Sequence, residues 1–128
     1  MSVNLFGSMI REARKNTKHT LLSMAIALKT TPGFLSAIET GRSKIPDEWV
    51  VKIYEFFKDT KYPLLLEELK EKAIVSNGSV LISDLPLQHK LLIAGFANSK
   101  LNAEQMLKFK SLLESVYADR QTKDDDDR

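Results

Sequence analysis

The stretch Thr20–Pro46, TLLSMAIALKTTPGFLSAIETGRSKIP, constrains the fold more than any other part of the chain. It holds two helix starts, two helix stops and a basic loop in one short run. Thr20 precedes an apolar-periodic segment, Leu21 to Leu28, and its hydroxyl is placed to accept an unpaired N–H of the first turn. Met24, Ala25 and Leu28 share one face, with Leu21 beside them. Lys29-Thr30 is a corner. Thr31 then caps a second helix whose first residue is Pro32, where the missing N–H costs nothing. Leu35 and Ile38, three apart, point inward, and Gly41 stops the helix in the left-handed conformation common after a helix end. Ala25 is small where the two helices cross; a larger side chain there would push them apart.

This pattern resembles the helix-turn-helix of the lambda-repressor-like family, also called the Cro or XRE family. That family reads roughly Thr-Gln-x-x-Leu-Ala-x-x-Leu-Gly-Val-Ser-x-x-Tyr-Ile-Ser-x-Ile-Glu-x-Gly-x-Arg-x-Pro. The chain matches at Thr20, Met24 for Leu, Ala25, Leu28, Thr31 for Ser, Phe34 for Tyr, Leu35 for Ile, Ser36, Ile38, Glu39, Gly41 and Pro46. SAIETGR is the most specific part. Three positions depart from the pattern. Leu21 stands where the family carries a Gln that often contacts DNA, Lys29 where it carries the corner Gly, and Thr30 where it carries an apolar residue. A lysine at the corner requires that turn to accommodate a side chain in a strained or altered geometry. The resemblance covers about the first half of the chain, and the remainder is only loosely similar to the helical tails of small regulators in the family.

The rest of the chain is read from its periodicities. Phe6, Met9, Ile10 and Ala13 mark an amphipathic helix over Leu5–Lys15. Pro46 opens another, with Asp47 and Glu48 in its first turn and Trp49, Val50, Ile53 and Phe57 as its buried stripe. A fifth helix runs from Leu64 to about Lys72, with Leu65, Leu66 and Leu69 facing in. Asn77-Gly78 is a turn signal, and Val80, Leu81 and Ile82 read as a short strand that Ile74 and Val75 can join as a hairpin. An isolated hairpin is marginal in water, so this strand is expected to pack on helices or to pair with its copy across a two-fold axis. Leu87–Asn98 is a helix. A last helix begins at Asn102, with a capping box completed by Gln105 and a stripe of Met106, Phe109, Leu112, Leu113, Val116 and Tyr117. Two helices and a strand close little core alone. The stripe therefore packs on the N-terminal domain or on a second copy, with Val80, Leu81, Ile82, Phe109, Leu113 and Val116 as the dimerisation residues. The expected architecture is mainly α. A five-helix lambda-repressor-like domain spans residues 1–72, a strand plus two helices for dimerisation spans 73–120, and a disordered acidic tail spans 121–128.

Composition narrows the function classes. With no cysteine, the chain forms neither a disulfide framework nor a thiolate metal site, which fits a reducing cytoplasm. Its two histidines lie on different segments without metal-ligand spacing, and no Gly-rich loop follows a strand, so neither an enzyme nor a cofactor is expected. The longest apolar run, Leu91–Ala97, falls far short of a membrane span, and the charged first helical pattern is not that of a signal peptide. Net charge is only +2 but unevenly spread. Residues 1–62 hold ten Lys/Arg against six Asp/Glu, a surplus of +4; residues 63–128 hold nine against eleven, a balance of −2. The basic half is the one suited to phosphate.

The family resemblance supplies the expected chemistry. In it the second motif helix enters the major groove of double-stranded DNA by its N-terminal end. The base-facing positions are then Thr31, Pro32, Gly33, Ser36 and Ala37. None is an Arg or Gln able to make a bidentate base contact, so part of the specificity is expected from DNA shape or from residues outside this helix. Phosphate contacts fall to Lys18, Lys29, Thr40, Arg42, Ser43 and Lys44. The implied function is a sequence-specific transcription regulator, a dimeric repressor of mobile-element type on a palindromic operator. The alternative is an antitoxin or protein-binding module whose last helix grips a toxin protein.

Overall fold

The computed structural model describes residues 4–126, with side chains through residue 119. Seven helices are present among these residues: α1 (Leu5–Asn16), α2 (Leu21–Ala27), α3 (Pro32–Thr40), α4 (Asp47–Lys58), α5 (Leu66–Asn77), α6 (Leu87–Asn98) and α7 (Ala103–Asp126). The chain divides into two compact units, Met1–Leu81 and Ile82–Arg128.

In the first unit α1 packs on α3 and α5, α4 on α5, and α2 on α3. The core is one apolar cluster. Phe6, Ile10 and Ala13 come from α1, Met24 and Ala25 from α2, and Leu35 and Ile38 from α3. Ile45 lies in the following loop; Val50, Ile53 and Phe57 come from α4, and Leu64, Leu69 and Ala73 complete it. Most are positions the helical periodicity picks out, because burying a stripe on each helix is what stabilises so small a unit. Leu65 is the exception: α5 begins at Leu66, so Leu65 lies before its first turn and is exposed, and Leu64 is buried in its place.

The helix ends carry the expected caps. Thr20 Oγ1 accepts from Ser23 N at 3.0 Å and Ser23 Oγ accepts from Thr20 N at 2.9 Å, a capping box at the start of α2. Thr31 Oγ1 accepts from Phe34 N at 3.1 Å, with Pro32 at the first turn of α3. Gly41 closes α3 at φ 80. The corner between α2 and α3 is a Schellman turn. Thr30 N donates to Ala25 O at 2.9 Å and Lys29 N to Ile26 O at 3.2 Å, with Lys29 itself left-handed at φ 57. Lys18 plays the same part after α1, at φ 59, with His19 N donating to Arg14 O at 2.9 Å. Lysine thus occupies a glycine geometry twice, at a steric cost of roughly 1 kcal/mol each.

Residues 73–82 depart from expectation. Leu64–Lys72 followed by a hairpin is replaced by one helix, α5, that runs through to Asn77. Asn77-Gly78 is its end: Gly78 is left-handed at φ 73, and its N–H reaches Ile74 O at 2.9 Å. A left-handed glycine serves a turn or a helix stop equally well, and long-range packing decides. Leu69 and Ala73, one turn apart, are both in the core, which carries the helix onward. Ile74 and Val75 are therefore helical and unavailable for pairing. Among the described residues there is no strand, and Val80, Leu81 and Ile82 are non-strand chain with Val80 and Leu81 exposed.

The second unit is a helical hairpin. Asn102 and Gln105 make the expected capping box, with Gln105 N to Asn102 Oδ1 at 2.8 Å and Asn102 N to Gln105 Oε1 at 3.0 Å. Phe96 of α6 meets Phe109 of α7 edge to face, centroids 5.0 Å apart. α6 contains no buried residue. Helix α7 continues to Asp126, into the segment 121–128 expected to be disordered; residues 127 and 128 lie outside the described residues.

Candidate nucleic-acid interface

The chain bends by 113° between α2 and α3, within the range of a helix-turn-helix. Thr31, Pro32 and Gly33 at the start of α3 are exposed. Nothing but Thr31's own Oγ1, at 4.0 Å, lies near the space a Cβ on Gly33 would take, so the helix end presents open backbone. Ser36 and Ala37 follow on the same side, half-buried, while Leu35 and Ile38 anchor the opposite side.

Two longer-range devices hold α3. The first is ionic. Glu39, only 3% exposed, accepts from Arg14 Nη2 at both carboxylate oxygens, at 3.0 and 2.8 Å. The exposed Arg11 adds a looser contact at 3.7 Å. Burial pushes the Glu39 carboxyl above its ordinary range, opposed by the charge of Arg14. The second device is Asn4. Its Oδ1 caps α1 by accepting from Gly7 N at 2.6 Å, and its Nδ2 donates to Ile38 O at 3.1 Å. Its backbone N–H reaches Glu39 O at 3.2 Å, so the start of α1 is tied to the end of α3.

The expected phosphate-binding residues do not all gather. Arg42 folds back along α3: Nη2 donates to Ser36 Oγ at 3.1 Å and Nε to Thr40 Oγ1 at 3.2 Å. Ser43 is exposed beside it, and Lys18 and Lys29 are exposed on their two left-handed turns. Lys44 turns the other way. Its Nζ donates to Asn77 O at 3.2 Å and Ser79 Oγ at 3.3 Å, so its charge sits against the carbonyl end of α5. Leu21, at the family's Gln position, packs against the core.

Asn77, part of a turn signal in the sequence, has a second use in the fold. It clamps the loop after α3 to α5: Oδ1 accepts from Ile45 N at 2.8 Å and Nδ2 donates to Ile45 O at 3.0 Å. No local signal marks this pairing, since its partner lies 32 positions away. Phe34 stacks at a tilt on Trp49, centroids 4.8 Å apart, and Lys52 Nζ lies 4.5 Å from the Trp49 ring centre. The aromatic pair braces the far side of α3 against α4.

No described helix is by itself long and apolar enough to cross a membrane. No curated protein and no solved structure matched the chain. Residues 7–70 match the family described as a helix-turn-helix domain, a span that opens in α1 and closes in α5 and so takes in the whole motif with its supporting helices. With half of its length covered, its two motif helices at the required angle and its motif residues in place, the chain belongs to the helix-turn-helix domain family, in keeping with a protein of the Cro/XRE type.

Proposed function

We propose that this protein is a sequence-specific transcription regulator, a dimeric repressor that binds a palindromic operator through α3 and controls its own promoter. Membership of the helix-turn-helix family supports the coarser reading, a DNA-binding regulator. The observation that carries the rest is the exposed start of α3, Thr31-Pro32-Gly33, with Arg42, Ser43 and Lys29 exposed around the motif. A helix end with open backbone and flanking cations suits a duplex groove walled by phosphates. Thr31, Pro32, Gly33, Ser36 and Ala37 face bases in this reading. Lys18, Lys29, Arg42 and Ser43 serve phosphates; the Thr40 hydroxyl is spent on Ser36 O, and Lys44 is held at the end of α5. The test is a mobility shift on the DNA upstream of the protein's own gene, at two salt concentrations. Lys18→Ala with Lys29→Ala should weaken binding and flatten its salt dependence; undiminished binding refutes the assignment.

Dimerisation is assigned to the second unit. Leu92, Phe96, Met106, Phe109 and Leu113 line an apolar groove of about 850 Å³ on the hairpin. A two-helix unit this small does not close a core, and a second copy completes it as a four-helix bundle. Phe109 and Leu113 are central to that face, with Val116 farther along α7. Val80, Leu81 and Ile82 no longer contribute a paired strand, and any part they take is through their apolar side chains. The two α3 helices of such a dimer would read half-sites about one helical turn, roughly 34 Å, apart. The same groove favours a second reading, an antitoxin whose hairpin receives a toxin protein. Sedimentation of the purified chain separates the two: a dimer that Phe109→Glu with Leu113→Glu dissociates supports the first, and a wild-type monomer sinks it.

A further inference from the structure

The outward side of α3 lacks what base recognition ordinarily uses. Pro32, Gly33 and Ala37 carry no side-chain donor, and the Thr31 hydroxyl, which accepts from Phe34 N, keeps a single O–H to donate. Ser36 offers one hydroxyl. No guanidinium or carboxamide projects from this face, although a bidentate donor is the commonest reader of a guanine. One guanidinium is nevertheless held there from outside the helix. Gly41, left-handed at φ 80, turns the chain back, and Arg42 lies along the side defined by Ser36 and Thr40.

The hydrogen-bond directions around Arg42 are specific. Thr40 Oγ1 donates its proton to Ser36 O at 2.7 Å, which leaves its lone pairs to accept from Arg42 Nε at 3.2 Å. Ser36 Oγ accepts from Nη2 at 3.1 Å. Both contacts use the Nε–Nη2 edge of the guanidinium. The opposite fork, formed by Nη1 and the second N–H of Nη2, stays free on an exposed residue. Two parallel donors in a fixed plane match the O6 and N7 acceptors of guanine in the major groove.

We infer that Arg42 is a specificity-determining residue, reading a guanine in each half-site through its Nη1–Nη2 fork, with Ser36 and Thr40 as positioning residues that hold the opposite edge. This rests on the reading of α3 as the groove-entering helix and changes the role of Arg42 from phosphate contact to base contact. Lysine keeps the charge but has no fork, so Arg42→Lys separates the two roles.

The experiment is selection of binding sites from a random double-stranded DNA library by the full chain, followed by titration of the selected duplex and its single-base variants across salt concentrations. Wild type should enrich a G·C pair at one position per half-site, and Arg42→Lys should lose that preference by about tenfold or more with an unchanged salt slope. Thr40→Val should reduce the same preference, and only at that position, while Trp49 fluorescence reports an intact fold. If Arg42→Lys keeps the full motif, and Arg42→Ala weakens all sequences equally while lowering the salt slope by about one, Arg42 is a phosphate contact and the inference is overturned. If the wild-type chain retains no DNA, the regulator reading itself falls, a result distinct from the previous one.

Discussion

Glu39 gives the sharpest test of how the first unit is held together. Its carboxylate is 3% exposed and takes both of its short contacts from Arg14, itself 13% exposed. Arg14 Nε is buried without a hydrogen-bond partner, so Glu39 is what compensates that charge. Glu39→Ala strands a buried guanidinium, which costs about 3–5 kcal/mol. A unit of this size holds roughly 4–12 kcal/mol in total, so the variant should be largely destabilised at room temperature. Arg11, a second cation, cannot offset the stranded charge, and its own contact with Glu39 adds little because its side chain is 56% exposed and screened. The paired change Arg14→Met with Glu39→Leu removes both charges and keeps an apolar volume. It should recover most of the loss, within about 1–2 kcal/mol of wild type. The assay is urea unfolding followed by fluorescence of Trp49, the chain's one tryptophan, which sits in the first unit against Phe34. A cost below about 1 kcal/mol for Glu39→Ala would show that water hydrates the Arg14 guanidinium once its partner is gone. A double variant as unstable as the single one would show that shape, not charge, is at stake.

Three further outcomes are expected from the same unfolding measurement. Lys29→Gly relieves the left-handed φ 57 and should stabilise by about 0.5–1 kcal/mol, with Lys18→Gly behaving alike; a loss of stability in both would mean the lysine stems make contacts worth more than the strain. Gly41→Val forces a branched side chain to φ 80 and should destabilise by about 1–2 kcal/mol. Asn77→Ala breaks both bonds to Ile45 and should cost about 1–3 kcal/mol. It should also loosen the loop that follows α3, seen as faster amide exchange at Ile45.

Much of the motif was legible because its signals are local. Thr20 and Thr31 cap helices that begin one residue later, Gly41 stops α3, and Asn102 pairs with Gln105 within one turn. Each device is complete inside four residues, so its signal can be read without knowing the core. The apolar stripes were legible for a similar reason: a helix face repeats every three to four residues whatever it packs against. Glu39 was visible as a motif residue, but its buried pair with Arg14 spans 25 positions and left no local trace.

What only the tertiary structure decided lies where one local signal serves two outcomes. Asn77-Gly78 suits a hairpin or a helix end, and the burial of Leu69 and Ala73 selected the helix. That choice consumed Ile74 and Val75, left Val80–Ile82 without a pairing partner, and brought Asn77 to Ile45. It also set Lys44 against the end of α5 and left Arg42 alone along α3. Chain order by itself determines which residues cap, turn and line a helix face. The direction a long charged side chain takes depends on which acceptors the folded chain carries to it from far away, and that is settled only when the helices pack.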